Sequence, residues 1–491
     1  NSSRGYSGSN IYNETTDGTQ FQDFRRFGFL VGPDKAVALQ QFDAVSRSTT
    51  IGGFVQDSWS VLDRVTLNVG VRYDAQLLYG YDDRLAMSLP NQWSPRIGAI
   101  YDFTREGRSK IYANFARFYE SVPLDAIDRS IPGERQFYSY HDASACDPRV
   151  VAQQQKQCES DVSRPVINPV YAPNQRWGIV GSDKSPVDPD IQPQSADELV
   201  VGGEYEVFAG ARVGVSYTRR WQNRVIEDMS RDEAQTYFIG NPGFGIAKDF
   251  PKAVRDYDGV TFFFQKTFGN DWLAQASYTV SSLRGNWAGL FRPENGQIDP
   301  NINSDFDLRS LLPNRDGALP GDRTHSIKLY GAKDFIIPGG MDLLVGATFR
   351  TRSGTPLNYL GSHPIYGTDE VFILPRGSAG RNDWIHNFDL RVGYSIKLSK
   401  ESTASITMDI FNLFGFQGVT SRDQSYTFTD VLPIADGSTA DMPDEKKGTP
   451  GKLTHTDGTA FDVKKEKNPN FGNPTAYQDP RQFRFGAKVT F

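Results

Sequence analysis

Val65-Thr66-Leu67-Asn68-Val69-Gly70-Val71-Arg72-Tyr73-Asp74 alternates without a break: odd positions are apolar, even ones polar or glycine. Phe388-Asp389-Leu390-Arg391-Val392-Gly393-Tyr394-Ser395-Ile396-Lys397-Leu398 repeats the pattern, as does the ending Phe483-Arg484-Phe485-Gly486-Ala487-Lys488-Val489-Thr490-Phe491. Period-two alternation means a strand with one apolar and one polar face. A soluble sandwich would give the same alternation, so length and loop placement must decide. These segments run about 10 to 14 residues, against about five or six for strands of soluble sheets, and a tilted membrane-spanning strand needs about 9 to 11. Successive strands join through short turns at Leu62-Asp63, Thr104–Arg108, Phe208–Gly210, Gly269–Asp271, Ile336–Gly340 and Ser399–Ser402. Between those hairpins lie long segments rich in Asp, Asn, Pro and Gly, near 75–94, 120–194, 227–254, 285–322, 352–383 and 416–477. Short turns at one end of every hairpin and long loops at the other is the pattern of a transmembrane antiparallel β-barrel. The expected fold class is therefore all-β.

Composition agrees. The chain has 491 residues with 53 Lys and Arg against 59 Asp and Glu, a net charge of -6, which argues against a nucleic-acid binder. A mean hydropathy of -0.50 is too polar for a helical membrane protein. A barrel tolerates it, because half of each strand faces a polar lumen. No apolar run reaches the roughly 18 residues of a membrane helix. Asn1-Ser2-Ser3-Arg4-Gly5 carries no signal-peptide pattern. Two cysteines, Cys146 and Cys158, lie close together in a Pro- and Gln-rich loop. The expectation is a local disulfide of an oxidising compartment, worth about 3 kcal/mol in the chain-entropy model.

From Thr49 onward about thirteen strands can be counted, whereas single-chain bacterial barrels have an even number, so the expectation is that upstream strands are missing. Residues 1–48 read as a loop and a weak strand around Phe21–Val31 leading into the barrel, and 49–491 as the barrel's C-terminal part. A 22-stranded barrel would place about nine strands upstream. The C-terminus is then expected in the periplasm.

Several segments resemble TonB-dependent outer-membrane receptors. Gln56-Asp57-Ser58-Trp59 followed by Leu67–Asp74 is similar to that family's "QD-W" and "L-x-x-GxRYD" strand pair, and Ser94-Pro95-Arg96-Ile97-Gly98 to its "SPR-x-G" opening. Asp409-Ile410-Phe411-Asn412-Leu413-Phe414 looks like the family's "N-x-F/L-N-L-F" strand, with Asp where Asn is common. Pro480 to Phe491 resembles the terminal strand, whose Phe483, Phe485 and Phe491 would carry the signal for the barrel-assembly machinery. Gly317–His325, Pro375–Arg381 and Asp299–Asn303 look like the Oar-like subgroup, large transporters implicated in handling peptides or proteins. The resemblance implies an outer membrane of a Gram-negative bacterium, lipid and lipopolysaccharide as surroundings, and TonB as partner. The family's plug domain and TonB box have no match in this sequence.

Sites for chemistry are sparse. His141, His325, His363, His386 and His455 are scattered, with no H-E-x-x-H and no Cys/His cluster, so no zinc site is expected. There is no G-x-S-x-G elbow and no P-loop, and no enzyme is expected. Asp299, Asn301, Asn303, Asp305 and Asp307 offer five oxygen-bearing side chains at alternate positions, a chemistry calcium prefers. The template fails at Ser304 and Ser310, and the plain alternative is an Asx-rich loop bonding its own backbone. Val65, Leu67, Val69 and Val71, with Phe388, Leu390, Val392 and Ile396, are expected to face lipid. Asn68, Arg72, Asp389, Arg391 and Lys397 are expected to face the lumen, bonding one another or lining a solute path. Tyr73, Phe103, Trp272, Phe349 and Tyr394 are candidates for the interfacial aromatic girdles. The expected function is TonB-dependent transport of an unidentified substrate, the rival a passive porin or surface-binding barrel.

Overall fold

The computed structural model describes residues 45–80, 83–124, 186–234, 236–296, 303–399, 401–444, 446–449 and 451–491. Its principal element is one antiparallel meander of thirteen strands taken in strict chain order. They are β1 (Arg47–Val61), β2 (Val65–Tyr79), β3 (Leu85–Tyr101), β4 (Ser109–Tyr119), β5 (Ser195–Phe208), β6 (Ala211–Arg224) and β7 (Arg255–Gly269). They continue as β8 (Trp272–Gly285), β9 (His325–Ile337), β10 (Met341–Arg352), β11 (Ile385–Lys397), β12 (Thr403–Phe411) and β13 (Gln482–Thr490). A two-residue strand, Gly317–Ala318, adds to the end of β8. Among the described residues β1 pairs only with β2 and β13 only with β12; the two do not pair with each other.

The short turns follow from local chemistry. Asn270 and Asp271 both take positive φ, 53° and 62°, the mirror-image turn whose twist matches a hairpin. Leu62 and Asp63 do the same at 54° and 53°, an uncommon conformation for a leucine. Several strands outrun the expected length, β3 reaching 17 residues. The expected long segment over 75–94 is accordingly corrected: β2 continues to Tyr79, β3 starts at Leu85, and few residues separate them.

Register keeps the alternation coherent across strands. On one face Val345, Val392, Met408 and Phe485 form a row over β10 to β13, next to a row of Leu343, Tyr394, Ile406 and Ala487. On the other, Arg391, Asp409 and Arg484 form a row, as do Asp342, Ser395, Ser405 and Lys488. A one-residue slip would exchange the two sets, so the pattern pins the register.

At the long-loop end lie the described parts of the connections. They pack into a cap with three apolar clusters. One joins Leu308, Leu311, Ile373, Leu374, Val431 and Phe461; a second Leu78, Met87, Leu89, Val122, Ile191 and Ile226; a third Met229, Phe238, Phe250, Trp287 and Phe306. Small sheets tie loops together, such as Leu360–His363 against Gly367–Phe372 and, in parallel, Ser425–Asp430. No helix among the described residues is long and apolar enough to cross a membrane.

Candidate functional site: the polar face and its cap

The polar face carries ion pairs placed by register. Arg72 meets Asp74 at 2.6 Å, Arg350 meets Asp389 at 3.0 Å, and Arg391 and Arg484 share Asp409 at 3.5 and 2.8 Å. Asp389 also accepts from the Asn412 backbone at 2.9 Å, fixing the loop that leaves β12. Asn68 stands in register between Ser58 and Gly98, and Lys397 faces Thr403 at the short-turn end. Arg72, Asp389 and Arg391 thus pair with Asp74, Arg350 and Asp409 of the same face rather than with one another. The cap folds over this same face. Gln76 and Leu78 share it with Arg72, and Gln76 both accepts from the Val122 backbone N–H and donates to its carbonyl at 3.0 Å.

At the centre of the cap lies a buried ionic knot. The guanidiniums of Arg292, Arg315 and Arg376 surround the Phe372 ring, their carbons 5.3, 5.0 and 4.6 Å from its centroid. Asp305 accepts from Arg315 at 2.8 Å, from Arg376 at 2.7 Å and from the Ala288 backbone at 2.8 Å. Glu370 accepts from Arg292 and Ser304, and Glu294 lies 3.2 Å from Arg376. Burial alone would raise the Asp305 carboxyl, but Arg376, Arg315 and Arg292 hold it below the usual range. Burial likewise pulls the Arg315 guanidinium down, to about 10. Three cations against three carboxylates leave the knot neutral, the arrangement that makes buried charge tolerable. Gly317 closes it: a Cβ there would lie 2.0 Å from the Arg376 carbonyl oxygen.

Beside the knot stand three carboxyls of another kind. Burial pushes Glu227 and Asp307 well above the carboxylate range and Asp228 up to about 6. Trp287 and Asn303 donate to Glu227, and Tyr366 donates to Asp307 at 2.8 Å.

Of the proposed calcium loop, Asp299 and Asn301 lie outside the described residues. Asn303 donates to Glu227, Asp305 is bound by two arginines, and Asp307 accepts from Tyr366. These three thus serve different protein partners, and no group of three or more metal-ligating side chains occurs among the described residues. Cys146 and Cys158 also lie outside the described residues. Phe483 and Phe485 are exposed on the apolar face of β13, and Phe491 ends the chain, exposed. Among the girdle candidates, Tyr73 packs on Trp93 at 4.7 Å, Phe103 on Tyr205 at 6.1 Å and Phe349 on Phe388 at 6.5 Å.

The knot's Arg292, Arg315, Glu370 and Phe372 escape a reading by motif, because the first two come from the β8–β9 connection and the other two from the β10–β11 connection. A signal was present all the same. Asp299–Asn303, Gly317–His325 and Pro375–Arg381, distant in sequence, flank or enter one knot: Asp305 follows the first, Gly317 opens the second, and Arg376 belongs to the third.

The family model for the TonB dependent receptor-like β-barrel matches residues 2–413. The TonB-dependent transporter Oar of Myxococcus xanthus is 50% identical over 502 residues, covering 99% of this chain and 46% of that protein. The chain thus spans about half the length of that curated relative. Among solved structures, it is similar to the ferripyoverdine receptor of the outer membrane of Pseudomonas aeruginosa. That likeness has a TM-score of 0.45 and 10% identity, over 96% of this chain and 44% of that one. It is also similar to the ferric-catecholate import receptor Fiu of E. coli, with a TM-score of 0.43 and 13% identity over 85% and 50% of the two chains. With most of its length matched by the family model, the chain belongs to the TonB-dependent receptor-like β-barrel family of Gram-negative outer membranes.

Proposed function

We propose that this chain forms the wall and external cap of a TonB-dependent transporter that moves a peptide or protein across the outer membrane. The apolar rows of β10 to β13 face lipid, the polar rows face the lumen, and the cap lies on the extracellular side. The C-terminus is then periplasmic, and energy comes from TonB acting through parts of the protein outside this chain. The observation that carries the reading is the pair of uninterrupted rows, apolar on one face and ion-paired on the other, over strands of membrane-spanning length. The 50% identity to a TonB-dependent transporter supports the energised form.

The test compares cells that make the intact protein with cells lacking it, by mass spectrometry of periplasm and medium. Transport predicts peptides or proteins whose distribution changes with the protein and reverts when TonB is deleted. Flux that persists without TonB would favour a passive porin.

A further inference from the structure

The polar face of β9 to β13 holds an open pocket of about 760 Å³, roofed by Asn412 and by Gln478, Asp479 and Pro480 of the β12–β13 loop. Register fills its wall with cations. Lys328 stands directly opposite Arg350, Arg352 opposite Ser326, and Arg484 enters from β13. Two of these have carboxylate partners: Arg350 pairs with Asp389, while Arg484 shares Asp409 with Arg391 and holds its guanidinium 5.2 Å over the Phe411 ring. Among the described residues no ion pair joins Lys328 or Arg352 to a carboxylate, and against four cations the pocket lining sets one carboxylate, Asp479 of the roof. Like charges directly opposite in an antiparallel pair destabilise it. A wall that sets Lys328 against Arg350, with Arg352 one pair further along, therefore gains from an anion placed between them. Asn387 and Gln482 border the same space and add neutral donors. Charge-assisted contacts of this kind are the strong ones, and a guanidinium fork matches a carboxylate or phosphate.

We propose that this pocket binds an oxyanion, a carboxylate or a phosphate, of the transported solute, held by Lys328 and Arg352, which are without an ion pair among the described residues. The proposal rests on the transport reading for what occupies the site, but it makes its own claim about binding. The test is calorimetric titration of the intact protein in detergent at low salt, with tetraglutamate and inorganic phosphate as separate probes. Binding of tetraglutamate assigns the carboxylate, and binding of phosphate alone assigns the phosphate. The Lys328→Gln/Arg352→Gln double variant should bind that probe about ten-fold more weakly, the loss of about 1.4 kcal/mol. Lys333→Gln, in an apolar row of β9, should leave binding unchanged. Lys328→Glu/Arg352→Glu should turn the preference to tetralysine, a gain that misfolding does not produce.

Absence of binding by either probe overturns the proposal, and so does unchanged affinity in the double variant. If the pocket is filled by an acidic segment of the protein itself, neither probe binds and the double variant lowers the thermal midpoint, which also overturns it. Probe failure with TonB-dependent transport intact refutes the site alone. Probe binding without TonB dependence refutes the transport reading alone.

Discussion

Asp305→Asn tests whether the ionic knot holds the cap together. The substitution keeps the shape and leaves an oxygen for the Ala288 N–H, but removes the charge that Arg315 and Arg376 reach at 2.8 and 2.7 Å. The knot then carries three guanidiniums against Glu370 and Glu294, an uncompensated buried cation. Breaking a buried pair by removing one partner costs about 3–5 kcal/mol. Since 1.4 kcal/mol is ten-fold in an equilibrium constant, hydrogen-exchange protection of cap peptides around 286–296, 303–316 and 369–377 should fall about 100-fold or more. Peptides from β10 to β12 should keep theirs, because their bonds lie within the main sheet. The measurement is exchange mass spectrometry of intact wild-type and variant protein at one pH. Unchanged protection in those three segments would refute the claim that the knot secures the cap.

Other consequences follow from the same structure. Val392→Arg puts a charge in the apolar row between Val345 and Met408, a cost of about 2–4 kcal/mol at the bilayer midplane. It should lower the yield of heat-modifiable barrel. Gly393→Ser should be tolerated, since a Cβ there meets Leu344 and Thr407 no closer than 3.6 Å. Equal yields would refute the facing. The Asp228 carboxyl, pushed up to about 6, holds a proton in the folded cap that the unfolded chain has lost. Cap stability should therefore fall as pH rises from about 4 to 6, Asp228 contributing about 2 kcal/mol, and Glu227 and Asp307, which burial holds higher still, carry the fall above that range. Asp228→Asn should make the slope between about pH 4 and 6 shallower in chemical-denaturation midpoints while the fall above about pH 6 remains, and an unaltered slope would contradict it. Digestion without reductant should yield a linked peptide containing Cys146 and Cys158, and recovery of both as free thiols from outer membranes would exclude the disulfide.

The strands were legible because their cause is local. Val65–Asp74 alternates with period two in a single stretch of chain, and so does Phe388–Leu398, so thirteen strands and the short turns could be read directly. The cap was not legible, because its cause is distributed. Phe372 matters only when Arg292 and Arg315 of the β8–β9 connection arrive around it and join Arg376 of its own loop. The spacing of Asn303, Asp305 and Asp307 has the same limit. Spacing marks oxygen ligands but not whether an arginine 71 residues away, as Arg376 is from Asp305, will take them first. The pocket by Lys328 lay between these extremes. Its residues sit on strands that were read correctly, yet its charge imbalance depends on which residue faces which across β9 and β10.

The most direct test of the central claim is thiol labelling of the intact protein in outer membranes, with the native cysteines replaced by serine. Ser395→Cys and Ser405→Cys belong to the polar row, Tyr394→Cys and Ile406→Cys to the apolar row beside it. With a membrane-impermeant maleimide added to permeabilised cells, the two polar-face positions should label and the two apolar-face positions should stay protected until detergent is added. Equal labelling of all four, or labelling of the apolar pair alone, would contradict a wall with lipid on one side and a lumen on the other.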